Sequence, residues 1–264
     1  MNKYERRTIK LLEMLQLNKR LDVKTVAGSL GISEATARRF FSQLEEEGKV
    51  IRVHGGVQLA QQLGYDYSFR VQAAHHLDQK TLIGTRAAEL VKDGDRIFLD
   101  SGTTVLKLAE ALSLKVQTGE LKDIVVLTNS ISHVETIARW CKAILIGGEI
   151  RAERLDVCGS VAEKTLMLFH LDKAFLGADA ISTSGGCTTT DERTSTMNEI
   201  VVERAGKSYV LVDSSKFDKT SFIRYASLEK IDTILTDAGI SAETLKAYKE
   251  AGAHIEVVRP KSMI

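Results

Sequence analysis

The stretch that decides the fold of the N-terminal region is "GISEATARRFFSQLEEEGKVIRVHGGV", residues 31–57. Four of its apolar residues recur at positions i, i+3, i+4 and i+7, which predicts a helix with one buried face. They are Ala37, Phe40, Phe41 and Leu44. Ser33 is placed to cap the start of this helix, and Gly48 is placed to end it. The β-type residues around the glycine pair at 55–56 then predict a short hairpin.

Two shorter helical patterns precede this helix. The first runs from about Lys3 to Leu15, and the second follows Asp22, a residue type that caps helices, and ends at Gly31. A helix, a short glycine turn, a second helix and a hairpin are the arrangement of a winged helix-turn-helix. We therefore predict an all-α/winged helix-turn-helix DNA-binding domain over residues 1–60.

The outer face of the third helix carries residues suited to DNA. Placed at 100° per residue, Ala35, Arg39 and Ser42 point away from the apolar stripe. Arginine can bind guanine bidentately or hold a phosphate, and free N–H groups at a helix start also suit a phosphate. The residues that we assign to DNA contact are Ser33, Glu34, Ala35, Thr36, Arg38, Arg39 and Ser42 in the helix, and Arg52 and His54 in the hairpin. The alternative for this helix, taken alone, is a solvated surface whose charges bind nothing.

The charges are distributed unevenly along the chain. Residues 1–60 hold 11 Lys or Arg and 7 Asp or Glu, whereas the remaining residues hold 25 and 28. A basic N-terminal region of this kind is typical of a contact with nucleic acid. The three glutamates at 45–47 would be repelled by phosphates, so we expect the start of the third helix to enter the major groove and its end to lie away from DNA.

After an irregular polar stretch, residues 61–76, which we interpret as a linker, β-type runs alternate with helical ones. The strand candidates are residues 95–100, 123–128, 143–148, 173–178, 209–213, 232–237 and 254–258. Such alternation predicts an α/β domain, residues 77–264, with a mainly parallel sheet flanked by helices.

Polar turns follow several of these strands. The turn "DSGTT", residues 100–104, leads into a helix and would present backbone N–H groups to an anion, although capping alone would explain its hydroxyls equally well. Ligands of open parallel sheets bind at the carboxyl ends of strands. The candidate residues at these ends are Asp100, Ser101, Gly102, Thr103, Thr104, Thr128, Asn129, Ser130, Gly147, Gly148, Gly177, Asp179 and Lys216. Because Asp100 and Asp179 would repel a phosphate, we expect them to bind sugar or polyol hydroxyls.

Several other classes of protein and site are disfavoured. The three cysteines are widely spaced without a CxxC motif, and the histidines lack metal-binding spacing, so we expect no disulfide framework, metal or cofactor. There is no apolar run long enough for a membrane span and no signal-peptide pattern at the start, so we expect a cytoplasmic protein without a membrane partner.

Residues 6–57 closely resemble the N-terminal domain of the DeoR family of bacterial transcription regulators. The resemblance rests on Arg6 and Ile9, on the helix "ISEATARRFF" at 32–41, on "LEEEG" at 44–48 and on "RVHGGV" at 52–57. The chain departs from the family pattern with Ala37 for isoleucine, Phe40 for aspartate and Phe41 for leucine. We expect Phe40 to pack in the core rather than to contact a base.

The second half resembles the DeoR-family effector domain, whose fold is similar to that of ribose-5-phosphate isomerase. The matching residues are Lys80, "DSGTT" at 100–104, "TNS" at 128–130, "LIGGEI" at 145–150, "FLGADAIS" at 175–182 and "DSSKF" at 213–217. The resemblance implies that Lys80 belongs to the effector site. It also implies that Ala180 stands at an acid position of the isomerases, and hence a binding pocket without their reaction.

The sequence thus predicts a transcriptional repressor of a sugar or polyol operon rather than an enzyme. We expect a homo-oligomer, a dimer or a tetramer, that binds double-stranded operator DNA and responds to a phosphorylated sugar or polyol effector. The alternative is an active sugar-phosphate isomerase with an attached DNA-binding head, in which Glu149 or Glu192 would have to serve as the general base.

Overall fold

The computed structural model describes residues 3–18, 20–46, 49–53, 55–59 and 69–260. The chain divides into two compact units, Met1–Asp66 and Tyr67–Ile264. The second unit contains the seven strand candidates of the sequence. The first unit contains the three helices and the hairpin that the sequence predicts for residues 1–60.

Within its described residues, the first unit has three helices and three short strands. They are α1 (Lys3–Asn18), β1 (Arg20–Asp22), α2 (Val23–Leu30), α3 (Glu34–Glu46), β2 (Val50–Val53) and β3 (Gly56–Leu59). The caps predicted at Asp22 and Gly31 are confirmed, because the Asp22 carboxylate accepts a hydrogen bond from the Thr25 amide at 2.8 Å and Gly31 ends α2 in the left-handed region, with φ of 61°. Gly48, predicted to end the third helix, lies outside the described residues. The Ser33 hydroxyl likewise accepts a hydrogen bond from the Thr36 amide at 3.2 Å, one turn into α3.

The sequence analysis missed strand β1, which pairs antiparallel with β3 and completes a sheet in the order β1–β3–β2. Gly56 permits this pairing, because a Cβ atom there would lie 2.2 Å from the Leu21 carbonyl oxygen. The glycine pair of the hairpin therefore serves a close approach of two backbones as well as a turn.

The apolar stripe of α3 lies in the core of the first unit, as predicted. Ala37, Phe41 and Leu44 are buried together with residues of α1 and α2. Phe40 is buried as well, and its ring meets that of Tyr4 edge-on at a centroid distance of 5.5 Å. The expectation that Phe40 packs rather than reads a base is therefore confirmed.

The second unit is an α/β domain. Its helices are α4 (Phe69–Ala74), α5 (Leu77–Ala88), α6 (Thr103–Gln117), α7 (Ile131–Ile137), α8 (Ser160–Leu166), α9 (Glu192–Arg204) and α10 (Ala242–Glu250). Its strands are β4 (Arg96–Leu99), β5 (Val125–Thr128), β6 (Lys142–Leu145), β7 (Glu149–Arg151), β8 (Asp156–Cys158), β9 (Leu171–Leu176), β10 (Ala180–Ser182), β11 (Gly186–Thr189), β12 (Ala205–Leu211), β13 (Ile223–Ala226), β14 (Thr233–Asp237) and β15 (Ile255–Val258).

The seven strand candidates of the sequence form one parallel sheet, in the order β15–β14–β12–β9–β4–β5–β6. The prediction of a mainly parallel sheet flanked by helices is confirmed. The β7–β8 hairpin and the small sheet β10–β11–β13 were not predicted, because their strands of three or four residues have no readable periodicity.

Alternate residues of each strand enter two cores, one on each face of the sheet. Phe98 belongs to the core that packs against α8, α9 and α10, whereas its neighbours Ile97 and Leu99 belong to the core that packs against α5, α6 and α7. Burial on both faces explains the nearly continuous apolar runs of these strands.

Part of the predicted linker, residues 61–76, is helical instead. Residues 61–68 lie outside the described residues, but Phe69–Ala74 form α4, and Phe69 is buried in the second unit. Residues 69–74 of the predicted linker thus form a helix of the second unit. A helix of six residues is too short to show the apolar periodicity on which sequence analysis depends, and packing rather than propensity stabilises it.

The strand order reverses between β4 and β9. Strands β4, β5 and β6 follow one another towards one edge of the sheet, and β9, β12, β14 and β15 follow one another towards the opposite edge. The loops after β4 and β9 therefore diverge and leave a crevice at the carboxyl end of the sheet.

Close packing of α5 on α6 depends on Gly84. A Cβ atom at this position would lie 2.5 Å from the carbonyl carbon of Lys107 and 2.6 Å from the amide nitrogen of Leu108. We expect Gly84→Ala to destabilise the second unit by about 1–3 kcal/mol, because two backbones must separate. Urea denaturation measures the change, with Gly147→Ala as the control, since a Cβ atom there meets no atom within 4 Å. Equal stability of both variants would contradict the packing argument.

Candidate DNA-binding surface and anion-binding cleft

The outer face of α3 is open to solvent. Six predicted DNA contacts are exposed, and they are Ser33, Glu34, Ala35, Thr36, Arg38 and Arg39. The guanidinium of Arg38 lies 3.6 Å from the carboxylate of Glu34, an exposed pair that stabilises the helix only weakly and can exchange for a phosphate. The two arginines therefore remain available for DNA.

The end of α3 is joined to the hairpin through Arg52. Its guanidinium donates a hydrogen bond to the Ser42 hydroxyl at 2.9 Å, and its backbone amide donates to the Glu45 carboxylate at 2.9 Å. Ser42 is half-buried as a result. Glu45 thus has a structural contact that sequence reasoning missed. His54, the remaining predicted contact, lies outside the described residues.

A cleft opens at the carboxyl end of the parallel sheet, where the strand order reverses. We call it the switch-point cleft, and it holds about 630 Å³ of empty space, with the solvent at its mouth included. Its lining includes nine predicted effector residues, which are Lys80, Asp100, Ser101, Gly102, Thr103, Thr104, Gly177, Asp179 and Lys216. The structure therefore brings together loops that are more than 100 residues apart in sequence.

Helix α6 begins at the floor of this cleft. Gly102 is its N-cap in an extended conformation, with φ of −64° and ψ of 146°, and no side chain caps the first turn. The N–H groups of that turn carry the positive end of the helix dipole. An anion is the natural partner of such a helix start.

Two lysines supply positive charge near this helix. Lys80 is only 3% exposed, and its ammonium donates a hydrogen bond to the Gln72 carbonyl at 2.5 Å. Burial lowers the pKa of Lys80 to about 8. The negative charge of Asp213 raises this pKa, and the positive charge of Lys216 lowers it further. Lys216 is half-buried, and its backbone amide donates a hydrogen bond to the Asp213 carbonyl at 3.1 Å, whereas its ammonium has no hydrogen-bond partner among the residues that the structure describes. An anion in the cleft would favour the charged form of Lys80.

Three carboxylates balance these cations. Asp100 is 4% exposed, one of its oxygens accepts the Gly177 amide at 3.0 Å, and burial raises its pKa to about 6. Asp179 accepts the Thr190 amide at 2.8 Å, which holds it at the cleft wall. Burial would raise the pKa of Asp213, but hydrogen bonds from Ser215 outweigh it, so the pKa lies below its ordinary value.

An ion network behind the cleft wall was not foreseen. Arg151 donates to both oxygens of Asp156, at 2.8 and 2.7 Å, and to Asp191, the N-cap of α9, at 2.5 Å. Asp156 is fully buried and also accepts the Ser101 hydroxyl at 3.1 Å. Arg151 donates further to Thr194, which lines the cleft. The network therefore holds the β7–β8 hairpin, the loop after β4 and the start of α9 in one arrangement.

Five predicted effector residues do not line the cleft. They are Thr128, Asn129, Ser130, Gly147 and Gly148, which follow β5 and β6, one and two strands away from the reversal. Thr128 donates to the Leu99 carbonyl at 2.7 Å and Ser130 caps α7. Strand order, which the sequence does not reveal, places these strand ends outside the lining of the cleft.

The cleft lining also contains residues that sequence reasoning missed. These are Gln72, Arg154, Ala178, Thr189, Thr194, Asn198, Leu211, Val212 and Asp213. Asp213 stands inside the matched "DSSKF" stretch and could have been found there, because β12 was itself a strand candidate. No sequence pattern pointed to three other polar residues of the lining. Gln72 comes from a short helix, Arg154 from a hairpin turn and Asn198 from one face of a helix.

The residues that the sequence analysis weighed for an isomerase reaction do not line the cleft. Ala180 is buried in β10, and the two alternative bases, Glu149 and Glu192, are exposed and outside the lining. Glu149 instead accepts a hydrogen bond from Arg193 at 2.7 Å.

The part of the chain that the structure describes holds no group of three or more His, Cys, Asp or Glu side chains that could bind a metal ion. Within the same residues there is no helix with the length and apolarity of a membrane span.

A helix-turn-helix unit joined to a parallel sheet with a polar switch-point cleft defines a two-part regulator, with one unit for DNA and one for a ligand. Residues 7–63 match the DeoR-like helix-turn-helix domain, and residues 75–238 match the DeoR C terminal sensor domain. The chain belongs to the DeoR family of transcriptional regulators. It is a regulator rather than an enzyme.

Relatives match over most of the chain. The lactose phosphotransferase system repressor of Lactococcus lactis subsp. lactis is 34% identical over 95% of this chain and 97% of its own length. The HTH-type transcriptional regulator GlpR of Haloferax volcanii is 30% identical over 93% of this chain and 94% of its own. Ribose 5-phosphate isomerase A from Methanocaldococcus jannaschii is 23% identical over 53% of this chain and 54% of its own, with a TM-score of 0.41, a likeness too distant to carry an inference about chemistry.

Arg39 is exposed on the outer face of α3, where it can contact operator DNA. If Arg39 binds a base pair bidentately, Arg39→Ala should weaken operator binding by about 1–3 kcal/mol. Fluorescence anisotropy with labelled operator DNA measures the loss. Arg139→Ala, which removes an exposed arginine from the second unit, is the charge-matched control. Equal affinities of the two variants would exclude the base contact.

Proposed function

We propose that this regulator represses an operon for the catabolism of a sugar or polyol, and that a phosphorylated form of that compound is its effector. The observation that carries the proposal is the convergence of an uncapped helix start, Lys80 and Lys216 in one cleft beside Asp100 and Asp179. Cations and helix N–H groups suit a phosphate, whereas carboxylates suit hydroxyl groups. The relative from Lactococcus lactis, named as a repressor of a lactose phosphotransferase system, supports the same class of effector.

The phosphate would bind at the first turn of α6, between the two lysines, and the polyol chain would extend towards Asp100 and Asp179. Both carboxylates have acceptor capacity for hydroxyl donors, and Asp100 keeps one buried oxygen without a partner among the described residues. Thr194 and Asn198, from α9, line the same end. A neutral sugar has no phosphate for the two lysines to bind, so we expect it to bind more weakly.

The DNA-binding unit would place the start of α3 in the major groove, with Arg38 and Arg39 towards the bases and phosphates. The residues proposed for this contact are Ser33, Glu34, Ala35, Thr36, Arg38, Arg39, Ser42, Arg52 and His54. Since two-fold symmetric operators are read by symmetric proteins, we propose a cytoplasmic homo-oligomer, a dimer or tetramer. An effector changes DNA affinity only if it binds two states of the protein with different affinities. The resulting change in DNA affinity is usually about 5–150-fold.

Operator DNA titrated with a panel of phosphorylated sugars and polyols tests the proposal. We expect one of them to change DNA affinity about 5–150-fold, whereas its unphosphorylated form does not. Thermal shift of the full chain with the same panel reports binding without DNA. If no phosphorylated compound stabilises the protein, the proposed effector class is wrong.

Removal of the Lys216 ammonium should separate effector response from DNA binding. We expect Lys216→Ala to bind operator DNA in the absence of effector like the natural chain, and to need at least about tenfold more effector for the same response, because a charge-assisted hydrogen bond is lost. Lys249→Ala, on the exposed face of α10, is the control. Loss of DNA binding by Lys216→Ala itself would indicate a structural role instead.

The pKa of Lys80 predicts how effector binding depends on pH. Below about 8 the ammonium is charged and attracts the phosphate, and above it the neutral amine does not. Affinity for a phosphorylated effector should therefore fall as pH rises from 7 to 9. Calorimetric titrations at these pH values measure the change, and Lys80→Met should remove most of it. An affinity that is constant over this range would contradict a phosphate contact with Lys80.

A further inference from the structure

The helix α4 is the first described element after the DNA-binding unit, and it contacts the wall of the switch-point cleft at both ends. It has only six residues, so its own hydrogen bonds cannot hold it folded. Its stability must come from the contacts that it makes with the rest of the second unit.

The first contact lies at the start of the helix. The Phe69 side chain is buried, and its backbone amide donates a hydrogen bond to the Glu153 carbonyl at 3.0 Å. Glu153 stands in the turn of the β7–β8 hairpin, and the next residue, Arg154, lines the cleft. The same turn therefore supports α4 on one side and the ligand site on the other.

The second contact lies at the end of the helix. The last carbonyl groups of a helix have no partner within it, and the Lys80 ammonium donates to one of them, the Gln72 carbonyl, at 2.5 Å. That carbonyl also accepts the His75 amide at 3.2 Å. Lys80 thus acts as the C-terminal cap of α4 and, under the proposed function, as a partner of the effector phosphate.

A phosphate and the Gln72 carbonyl compete for the same ammonium group. The bond from Lys80 to the Gln72 carbonyl already has an ionised donor, so what an anionic acceptor adds is Coulomb attraction, which is strong in a cleft that is partly closed to water. A bound phosphate will therefore draw Lys80 towards the start of α6 and away from the end of α4.

We propose that α4 is the element through which the effector acts: phosphate takes Lys80 from the Gln72 carbonyl, and the loss of this cap loosens α4, the first described helix after the DNA-binding unit. This inference rests on the proposed function, because it requires an anion in the switch-point cleft. It assigns Lys80 a positioning role in addition to ligand binding.

Hydrogen exchange of the full chain, with and without saturating inorganic phosphate, tests the mechanism. Calorimetry with the same phosphate establishes binding independently. We expect the amides of residues 70–76 to exchange at least about fivefold faster with phosphate, the low end of the usual allosteric range, while those of β4 and β9 stay unchanged.

Two matched substitutions separate a cap from a general charge effect. Lys80→Met should show fast exchange at residues 70–76 already without phosphate, and no further response. Lys107→Met removes a neighbouring lysine of α6 that pairs with Glu110, and its exchange should match that of the natural chain in both conditions. If Lys107→Met loosened α4 as much as Lys80→Met, the cap would not be the cause.

The outcomes distinguish this inference from the function on which it rests. Phosphate binding by calorimetry with unchanged or slower exchange at residues 70–76 would overturn the α4 mechanism and leave the cleft as the effector site. Failure of phosphate to bind the natural chain would overturn both. A Lys80→Met variant with slow exchange at these residues would overturn the capping role, even if phosphate affinity is reduced.

Discussion

The hydrogen bond from the Gly177 amide to the Asp100 carboxylate joins the two loops on which the second unit depends. It bridges the ends of β4 and β9, where the strand order of the sheet reverses. The backbones approach closely there, with a Cβ position at Gly102 only 3.6 Å from the Cα atom of Gly177. This contact sets the start of α6 beside the loop that carries Asp179, and so creates a cleft with a positive helix end and two carboxylates.

Burial gives that cleft its electrostatic character. Lys80 and Asp100 are both almost inaccessible, and burial moves their pKa values towards neutrality, to about 8 and about 6. In a water-exposed groove the same side chains would have ordinary pKa values and weak interactions. A cleft of this kind resembles an enzyme site in its electrostatics, but the chain has Ala180 where the resemblance implies an acid, and it belongs to a family of regulators.

Much of the architecture could be read from the sequence. The burial of Phe41 and Leu44, the caps at Asp22 and Gly31, and the seven parallel strands all follow from short-range patterns of apolar, capping and β-branched residues. Those patterns act through local geometry, namely a period of 3.6 in helices and buried runs in strands. The family resemblance added Lys80, which no local pattern would have singled out.

The sequence by itself determined the two-part organisation and the chemical types of the strand-end residues. Only the tertiary structure decided which strand ends meet, because strand order depends on packing between segments that are distant in the chain. It placed Asp213 in the cleft and Ser130 outside it, paired Arg151 with Asp156 behind the wall, and turned a stretch that looked like linker into α4. Such contacts depend on which surfaces remain after the core has formed, and no local pattern encodes them.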